Sequence, residues 1–433
     1  MKKIGFQTLG CKVNIYESNA LKNELAAKGY EIVEPSADCD AFIVNTCSVT
    51  NMADAKSRKI IRRMHHLNPE AVLCVMGCYA QTNPEAMTID GIDILVGTGN
   101  KKEVIELLEE KFLDKSIQKK IHLLDIANHH EYEKLEVTTY DHARAFVKIE
   151  DGCENFCSYC IIPYARGPIR CKPADEVIEE LKRITEKGFK EIVLAGIHTG
   201  KYRDRTTNLS SLIARILKEV PLLERLRLSS IEINEIDDDF LALLKTSSKL
   251  ADHLHLPLQS GSDLILKKME RRYDTAFFKE KIRQIRQVRP DISLSTDIIV
   301  GFPYESENEF NETVRFAEEI RFSKIHVFPY SMREKTKAVS MPQVDSAAKR
   351  KRASALLAVS DRLECAYRQQ FLHKTLTVLA EQRKGEYLVG HTENYLEVWF
   401  KGEDRLLKKI VPVVLDDIKN NHLIGHLLDH KLG

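Results

Sequence analysis

Ten cysteines are spread through 433 residues, at positions 11, 39, 47, 74, 78, 153, 157, 160, 171 and 365. Three of them lie within Cys153-Glu154-Asn155-Phe156-Cys157-Ser158-Tyr159-Cys160, a C-x3-C-x2-C spacing. Three thiolates on one tight loop can hold three irons of a cubane iron–sulfur cluster. The fourth iron is then open to a chelating cosubstrate. Zinc is the competing reading, but it takes four ligands, commonly in pairs. No fourth candidate is adjacent, because Cys171 lies past the turn Arg166-Gly167-Pro168. The spacing therefore favours a cluster.

A second set is dispersed. Cys11, Cys47 and Cys78 each sit just past a short apolar run. If those runs are parallel strands, their C-terminal ends share one sheet edge, and the three thiols converge there. Gly10 and Gly77 let the chain turn sharply beside them. Cys74 lies within the run Val72–Met76 and is expected in the core. Cys39 precedes a strand and belongs to the opposite edge, and Cys171 and Cys365 have no partners. For these four a small buried or surface role is the better reading.

The elements that must position these groups follow from periodicity. Residues 1–115 alternate probable strands (Ile4–Thr8, Ala41–Asn45, Val72–Met76, Ile94–Gly97) with amphipathic stretches, which predicts an α/β domain on a parallel sheet. Residues 116–143 are polar and without clear period, and read as a linker or an irregular excursion. A second alternating series occupies 144–370, with strands expected at Phe146–Ile149, Ile192–Ala195, Arg227–Ser230, His253–Leu258, Ser293–Val300 and Lys324–Tyr330. Six strand–helix repeats predict a complete or partial barrel, whose sites collect at the C-terminal strand ends. Residues 371–433 change to short alternating runs separated by glycines and predict a small all-β barrel.

Composition sets the outer bounds. Hydrophobic residues make up 43% and charged residues 30%, and the formal net charge is +1. Global charge thus announces no nucleic-acid partner, and any such surface must be local. The N-terminus lacks the apolar run of a signal peptide, and no stretch approaches the ~20 apolar residues of a membrane span. The expected location is the cytoplasm, where a disulfide framework is disfavoured.

The cluster loop, with Tyr159 just before its last cysteine, resembles the radical S-adenosylmethionine superfamily. Taken with Thr8-Leu9-Gly10-Cys11-Lys12-Val13-Asn14, Asn45-Thr46-Cys47-Ser48-Val49-Thr50 and Gly77-Cys78-Tyr79-Ala80-Gln81, the chain resembles the methylthiotransferases over nearly its whole length. Cys160-Ile161-Ile162-Pro163-Tyr164-Ala165-Arg166-Gly167, Leu258-Gln259-Ser260-Gly261-Ser262, Thr296-Asp297-Ile298-Ile299-Val300-Gly301-Phe302-Pro303 and Phe328-Pro329-Tyr330-Ser331 fit the same pattern. The resemblance implies a radical S-adenosylmethionine partial barrel and a C-terminal barrel of the TRAM type. It implies one [4Fe-4S] cluster on Cys153, Cys157 and Cys160 and an auxiliary one on Cys11, Cys47 and Cys78. Lys12-Val13-Asn14 and Glu17-Ser18 are most similar to the branch that modifies N6-threonylcarbamoyladenosine; the isopentenyladenosine branch has Gln-Met-Asn at that place. The implied reaction puts a methylthio group on carbon-2 of that adenine, beside the anticodon. S-adenosylmethionine is then both methyl donor and radical source.

The implied partners are a tRNA anticodon stem-loop, a sulfur donor and an electron donor such as flavodoxin or ferredoxin. Gly196, Ser230, Glu232 and Gln259, at or near strand ends, and Tyr159, on the cluster loop, are expected to contact the cosubstrate, with ordinary packing or turn formation as the alternative for each. Arg166 meets either a phosphate or carboxylate, or a local ion-pair partner. His198 and His255 are given no catalytic role. Lys56, Arg58, Lys59, Arg62 and Arg63, then Lys267, Lys268, Arg271 and Arg272, then Lys349–Arg352, form basic runs that either meet phosphates or are solvated helix faces. Tyr387, Tyr395, Trp399 and Phe400 offer either stacking surfaces for bases or core packing. From Lys374 to Gly433 there are nine Lys/Arg and nine Asp/Glu, so charge does not mark this module as RNA-binding. Three rivals remain: a ribosomal-protein aspartate methylthiotransferase, a non-catalytic iron–sulfur electron carrier, and an RNA-binding protein with structural clusters.

Overall fold

The computed structural model describes residues 1–428 except Asp90, Lys115, Ile117 and Asp141, and only the main chain of Met87. Lys115, where the first domain is expected to end, and positions 429–433 of the expected last module thus lie outside the described residues.

The first sheet has six parallel strands in the order Glu31–Val33, Lys3–Thr8, Ala41–Thr46, Val72–Gly77, Ile94–Val96 and Lys120–His122. Its two central strands are buried along their whole length, as helices on both faces require. The outer strands, three residues each, were not expected. They are partly exposed edges with no apolar run to mark them. Residues 116–143 therefore do more than link. They supply the last strand, and Leu135, Val137 and Tyr140 enter the main core. The Tyr16 hydroxyl, from the first helix Lys12–Ala27, donates to the Leu135 carbonyl at 2.7 Å.

The central region has six strands in two parallel triplets. One is ordered Arg225–Leu228, Glu191–Ala195, Ala145–Lys148, and the other His253–His255, Ser293–Val300, Lys324–Pro329. Single parallel bridges, Leu226 to Leu250 and Ser230 to His255, join the triplets. Among the described residues no pairing joins the outermost strands, so the barrel is partial. Helix Lys12–Ala27 packs beside the first barrel strand, and helix Ser346–Gln369 beside the last. This places the C-terminal edge of the first sheet against the barrel.

The last module is a closed five-stranded barrel, ordered Thr375–Lys384, Tyr387–Thr392, Glu397–Lys401, His422–Leu427, Ile410–Lys419. The strand His422–Leu427 was not among those expected. Strand Tyr387–Thr392 crosses so close to its neighbour that a Cβ on Gly390 would lie 1.7 Å from the Leu379 carbonyl oxygen. Only glycine fits there.

Candidate active site

The loop triplet begins where the first barrel strand ends. Gly152 has φ +105°, and a Cβ there would meet the Pro168 carbonyl oxygen at 2.0 Å, so the turn into the loop depends on glycine. The loop has little regular structure and is pinned by backbone bonds. Cys153 N–H donates to Gly167 at 3.0 Å, Ser158 N–H to Met269 at 3.1 Å and Cys160 N–H to Cys157 at 2.9 Å. All three cysteines line one cavity of about 400 Å³. Arg271 donates to Cys157 Sγ at 3.4 Å and pairs with Glu232 at 2.9 Å. His198 Nδ1 lies 3.7 Å from Cys153 Sγ, and its Nε2 is 2.6 Å from Glu235. Burial, reinforced by the neighbouring Cys157, pushes the Cys160 thiol up to about 12. Buried thiols of this kind become thiolates when a metal takes up their charge. The other cysteine at this cavity, Cys11, belongs to the dispersed set, so the three loop thiols fit a cluster with one open iron.

The dispersed triplet is a product of topology. Cys11, Cys47 and Cys78 directly follow or begin just beyond strands Lys3–Thr8, Ala41–Thr46 and Val72–Gly77, which are neighbours in that order. A Cβ on Gly10 would lie 3.0 Å from Cys47 Cβ and 3.3 Å from its Sγ. The Asn14 amide donates to Leu9 at 2.7 Å and Thr46 at 3.0 Å, locking two of the three turns together. Burial raises the Cys78 thiol to about 11, against the pull of Arg166. Cys47 is raised by burial as well. These three thiols also fit a metal cluster. Cys11, the exposed member, lines the same cavity as the loop triplet. The dispersed triad thus reaches the loop triplet's cavity through Cys11.

Tyr159, Gly196, Ser230, Glu232 and Gln259 all line that cavity. A Cβ on Gly196 would meet Glu150 Oε2 at 2.6 Å, so a larger residue at this strand end would displace the Glu150 carboxylate. Glu150 is fully buried and accepts the His198 N–H at 2.7 Å, and burial raises its carboxyl to about 8. The Tyr159 ring, while lining the cavity, also packs edge-on against Phe302 with centroids 6.4 Å apart. Arg166 realises its local alternative. It is fully buried, donates to Cys78 Sγ at 3.3 Å, to Glu17 at 2.7 Å and to Asp151 at 3.2 Å. Lys101 and Lys148 complete this knot, 3.0 and 3.1 Å from Glu17.

Arg271 corrects its assignment to a basic surface run: its side chain is only 4% exposed and turns into the site. Nothing in the sequence distinguished it from Arg272, which is exposed. His198, given no role, stands against a loop cysteine. Lys56, Lys59, Arg62 and Arg63 are exposed on helix Asn51–Leu67, whereas Arg352 is buried against Glu305 at 2.8 Å. In the last module Phe400 is core, and Tyr395 is stacked by His253 and His391 with centroids at 4.8 and 4.7 Å. Cys74 is buried, as expected, and Cys39 takes the buried one of its two alternatives.

Residues 3–97 match the model of the uncharacterized protein family UPF0004, and residues 147–317 match the radical SAM superfamily. The threonylcarbamoyladenosine tRNA methylthiotransferase MtaB of Bacillus subtilis is 41% identical over 95% of this chain and 93% of its own length. The chain belongs to the methylthiotransferase family. An Aquifex aeolicus member of the same name is 37% identical over 92% of this chain and 97% of its own. The tRNA-2-methylthio-N(6)-dimethylallyladenosine synthase of Thermoanaerobacter sp. is 33% identical over 98% of this chain and 92% of its own. Among solved structures, the radical S-adenosylmethionine methyltransferase TsrM of Kitasatospora setae, with cobalamin and a [4Fe-4S] cluster, shares the fold. Its TM-score is 0.56 at 14% identity, covering 78% of this chain and 77% of that one. This methylthiotransferase is a radical S-adenosylmethionine enzyme that uses an iron–sulfur cluster.

A second cavity of about 710 Å³ lies where the partial barrel meets the last module. Ser230, Asp297 and Phe328 line both cavities, so the two adjoin. The last module is held here by an ionic hub. Glu191, fully buried, pairs with Arg225 and Arg227 at 2.9 Å and Arg144 at 3.7 Å. Arg225 and Arg227 also donate to carbonyls of Thr377, Thr392 and Glu393. Against burial, these arginines hold the Glu191 carboxyl down at about 2. Among the described residues no helix is long and apolar enough to cross a membrane.

Proposed function

We propose that this methylthiotransferase acts on N6-threonylcarbamoyladenosine in the tRNA anticodon loop and places the methylthio group on carbon-2 of the adenine. The observation that carries the reading is the single cavity bordered by Cys11 and by Cys153, Cys157 and Cys160. A pure electron carrier needs no such space. The branch is favoured because five relatives named for threonylcarbamoyladenosine are 34–41% identical, against 32–33% for three named for dimethylallyladenosine.

In this reading Cys153, Cys157 and Cys160 hold the radical-generating cluster, and Cys11, Cys47 and Cys78 hold an auxiliary one. When bound, these clusters supply the electron that opens the cosubstrate sulfonium and a place for the sulfur to be methylated. Carbon-2 is electron-poor and has no leaving group, so acid–base chemistry cannot install sulfur there and a cofactor must carry the hard step. The chain's own residues position. Gly196 admits close backbone approach, and Ser230, Glu232 and Gln259 present polar groups to the methionine and ribose of S-adenosylmethionine. Arg271 and His198 set the charge around the loop thiols, and Tyr159 buttresses the loop against Phe302. Residues 371–433 act as the RNA-binding module, and an anticodon-loop base is splayed into the cavity, which an unpaired loop makes inexpensive. A sulfur donor and a flavodoxin- or ferredoxin-like reductant complete the system in the cytoplasm.

The test is mass spectrometry of nucleosides from tRNA incubated anaerobically with reconstituted protein, reductant, sulfide and S-adenosylmethionine. The tRNA should carry both threonylcarbamoyl and isopentenyl adenosines. Formation of 2-methylthio-N6-threonylcarbamoyladenosine is expected. Methylthiolation of isopentenyladenosine alone would reject the branch. Cosubstrate cleavage with no modified nucleoside would point instead to a protein aspartate as acceptor.

A further inference from the structure

The second cavity is lined by four cations, Lys12, Arg227, Lys324 and Arg368. Three of them are already neutralised. Arg227 is bound to Glu191 and to backbone carbonyls, and Lys324 and Arg368 both pair with Glu364. Lys12 differs: among the described residues its ammonium has no hydrogen bond and no ion pair. It is half-buried, and the nearby Glu191 is already committed to three arginines. A sheltered ammonium without a partner is unfavourable unless an anion joins it.

Its place is as telling as its lack of a partner. Lys12 follows Cys11, which borders the cluster cavity, and Lys12 itself borders the adjoining one. It begins helix Lys12–Ala27, whose first turn has no side-chain cap and so adds positive character at the same spot. In adenine one ring nitrogen separates carbon-2 from the carbon that bears N6. The bonds at those two carbons diverge, so a base with carbon-2 towards the cysteines has room for its N6 substituent in the adjoining cavity. The threonylcarbamoyl substituent ends in a carboxylate, whereas an isopentenyl group is a neutral hydrocarbon.

We infer that Lys12 binds the threonine carboxylate of the substrate nucleoside and is the residue that selects an anionic N6 substituent. The inference rests on the proposed function. Its test uses reconstituted full-length protein and two tRNA substrates, one with N6-threonylcarbamoyladenosine and one in which the threonine carboxylate is methyl-esterified. Initial rates of methylthiolation give KM for each, and anisotropy gives the affinity for the matching stem-loops. A charge-assisted contact predicts about a 10–100-fold preference of wild-type protein for the free carboxylate. Lys12→Met should bring the ratio of the two KM values to about one, and Lys12→Arg should restore most of it. A structural role alone would shift both substrates together. Equal use of acid and ester by wild-type protein would overturn the inference without calling on any variant, as would full discrimination by Lys12→Met. Absence of any methylthiolated product from the wild-type protein would instead reject the proposed function, and this inference with it.

Discussion

The two cysteine triads are built in opposite ways. Cys153, Cys157 and Cys160 span one loop, so bringing them together costs only a short loop closure. Cys11, Cys47 and Cys78 are separated by whole strand–helix units and meet only because three neighbouring parallel strands end on one edge. The first triad is a property of local chain, the second of a folded sheet. The loop thiols face Arg271 and His198, while Cys78 faces Arg166, which is itself tied to both domains. One site is held by its own turn, the other by the docking of two domains.

The largest expected effect separates the triads by chemistry. Cys153→Ala should abolish both S-adenosylmethionine cleavage, followed as 5′-deoxyadenosine, and nucleoside modification. Cys47→Ala should abolish modification while leaving cosubstrate cleavage measurable. Equal loss of cleavage in both would break the division of labour. Next comes the knot beneath the dispersed triad. Glu17→Ala leaves Arg166, Lys101 and Lys148 facing one another without their shared carboxylate. The cost should be about 3–5 kcal/mol in urea unfolding, with iron lost from the dispersed triad before the loop triad.

A third test concerns the hub that holds the last module, away from both triads. Glu191 is held at about 2, below its ordinary 4.5. A depressed carboxyl contributes stability that is present above pH 4.5 and is lost as pH falls from there towards 2. That contribution is about 3 kcal/mol. Wild-type protein should lose it on acidification, whereas Glu191→Gln should show a flatter profile over the same window by circular dichroism. The smallest effect marks the boundary of the dispersed site. Cys74 is fully buried between core side chains. Cys74→Ala should cost about 1–2 kcal/mol through the cavity it leaves and leave the iron content unchanged.

The same contrast explains what was legible in the sequence. The loop triad can be read from spacing alone, because its geometry is local. The dispersed triad was legible only through the apolar runs before each cysteine and the rule that parallel strands end together. Strands with continuous apolar runs, such as Ala41–Thr46 and Val72–Gly77, were visible. Edge strands Glu31–Val33 and Lys120–His122 were not, because a partly exposed three-residue strand leaves no pattern. Arg271 and His198 could not be separated from ordinary surface or structural residues. Their environment is made by chain that lies far away in sequence, Glu232 for one and Glu235 for the other. The burial of Arg166 was open for the same reason, since Glu17 precedes it by 149 positions.

That long reach between Glu17 and Arg166 also bears on how the chain is made. Synthesis delivers the first sheet, with Glu17 already in place, before the segment that carries Lys148 and Arg166. Within that segment Asp151 balances part of the charge of Lys148 and Arg166, and Glu17 adds the second carboxylate. The buried charge of the barrel segment is thus balanced in part by a side chain made long before it, and neither half carries the complete set of partners alone.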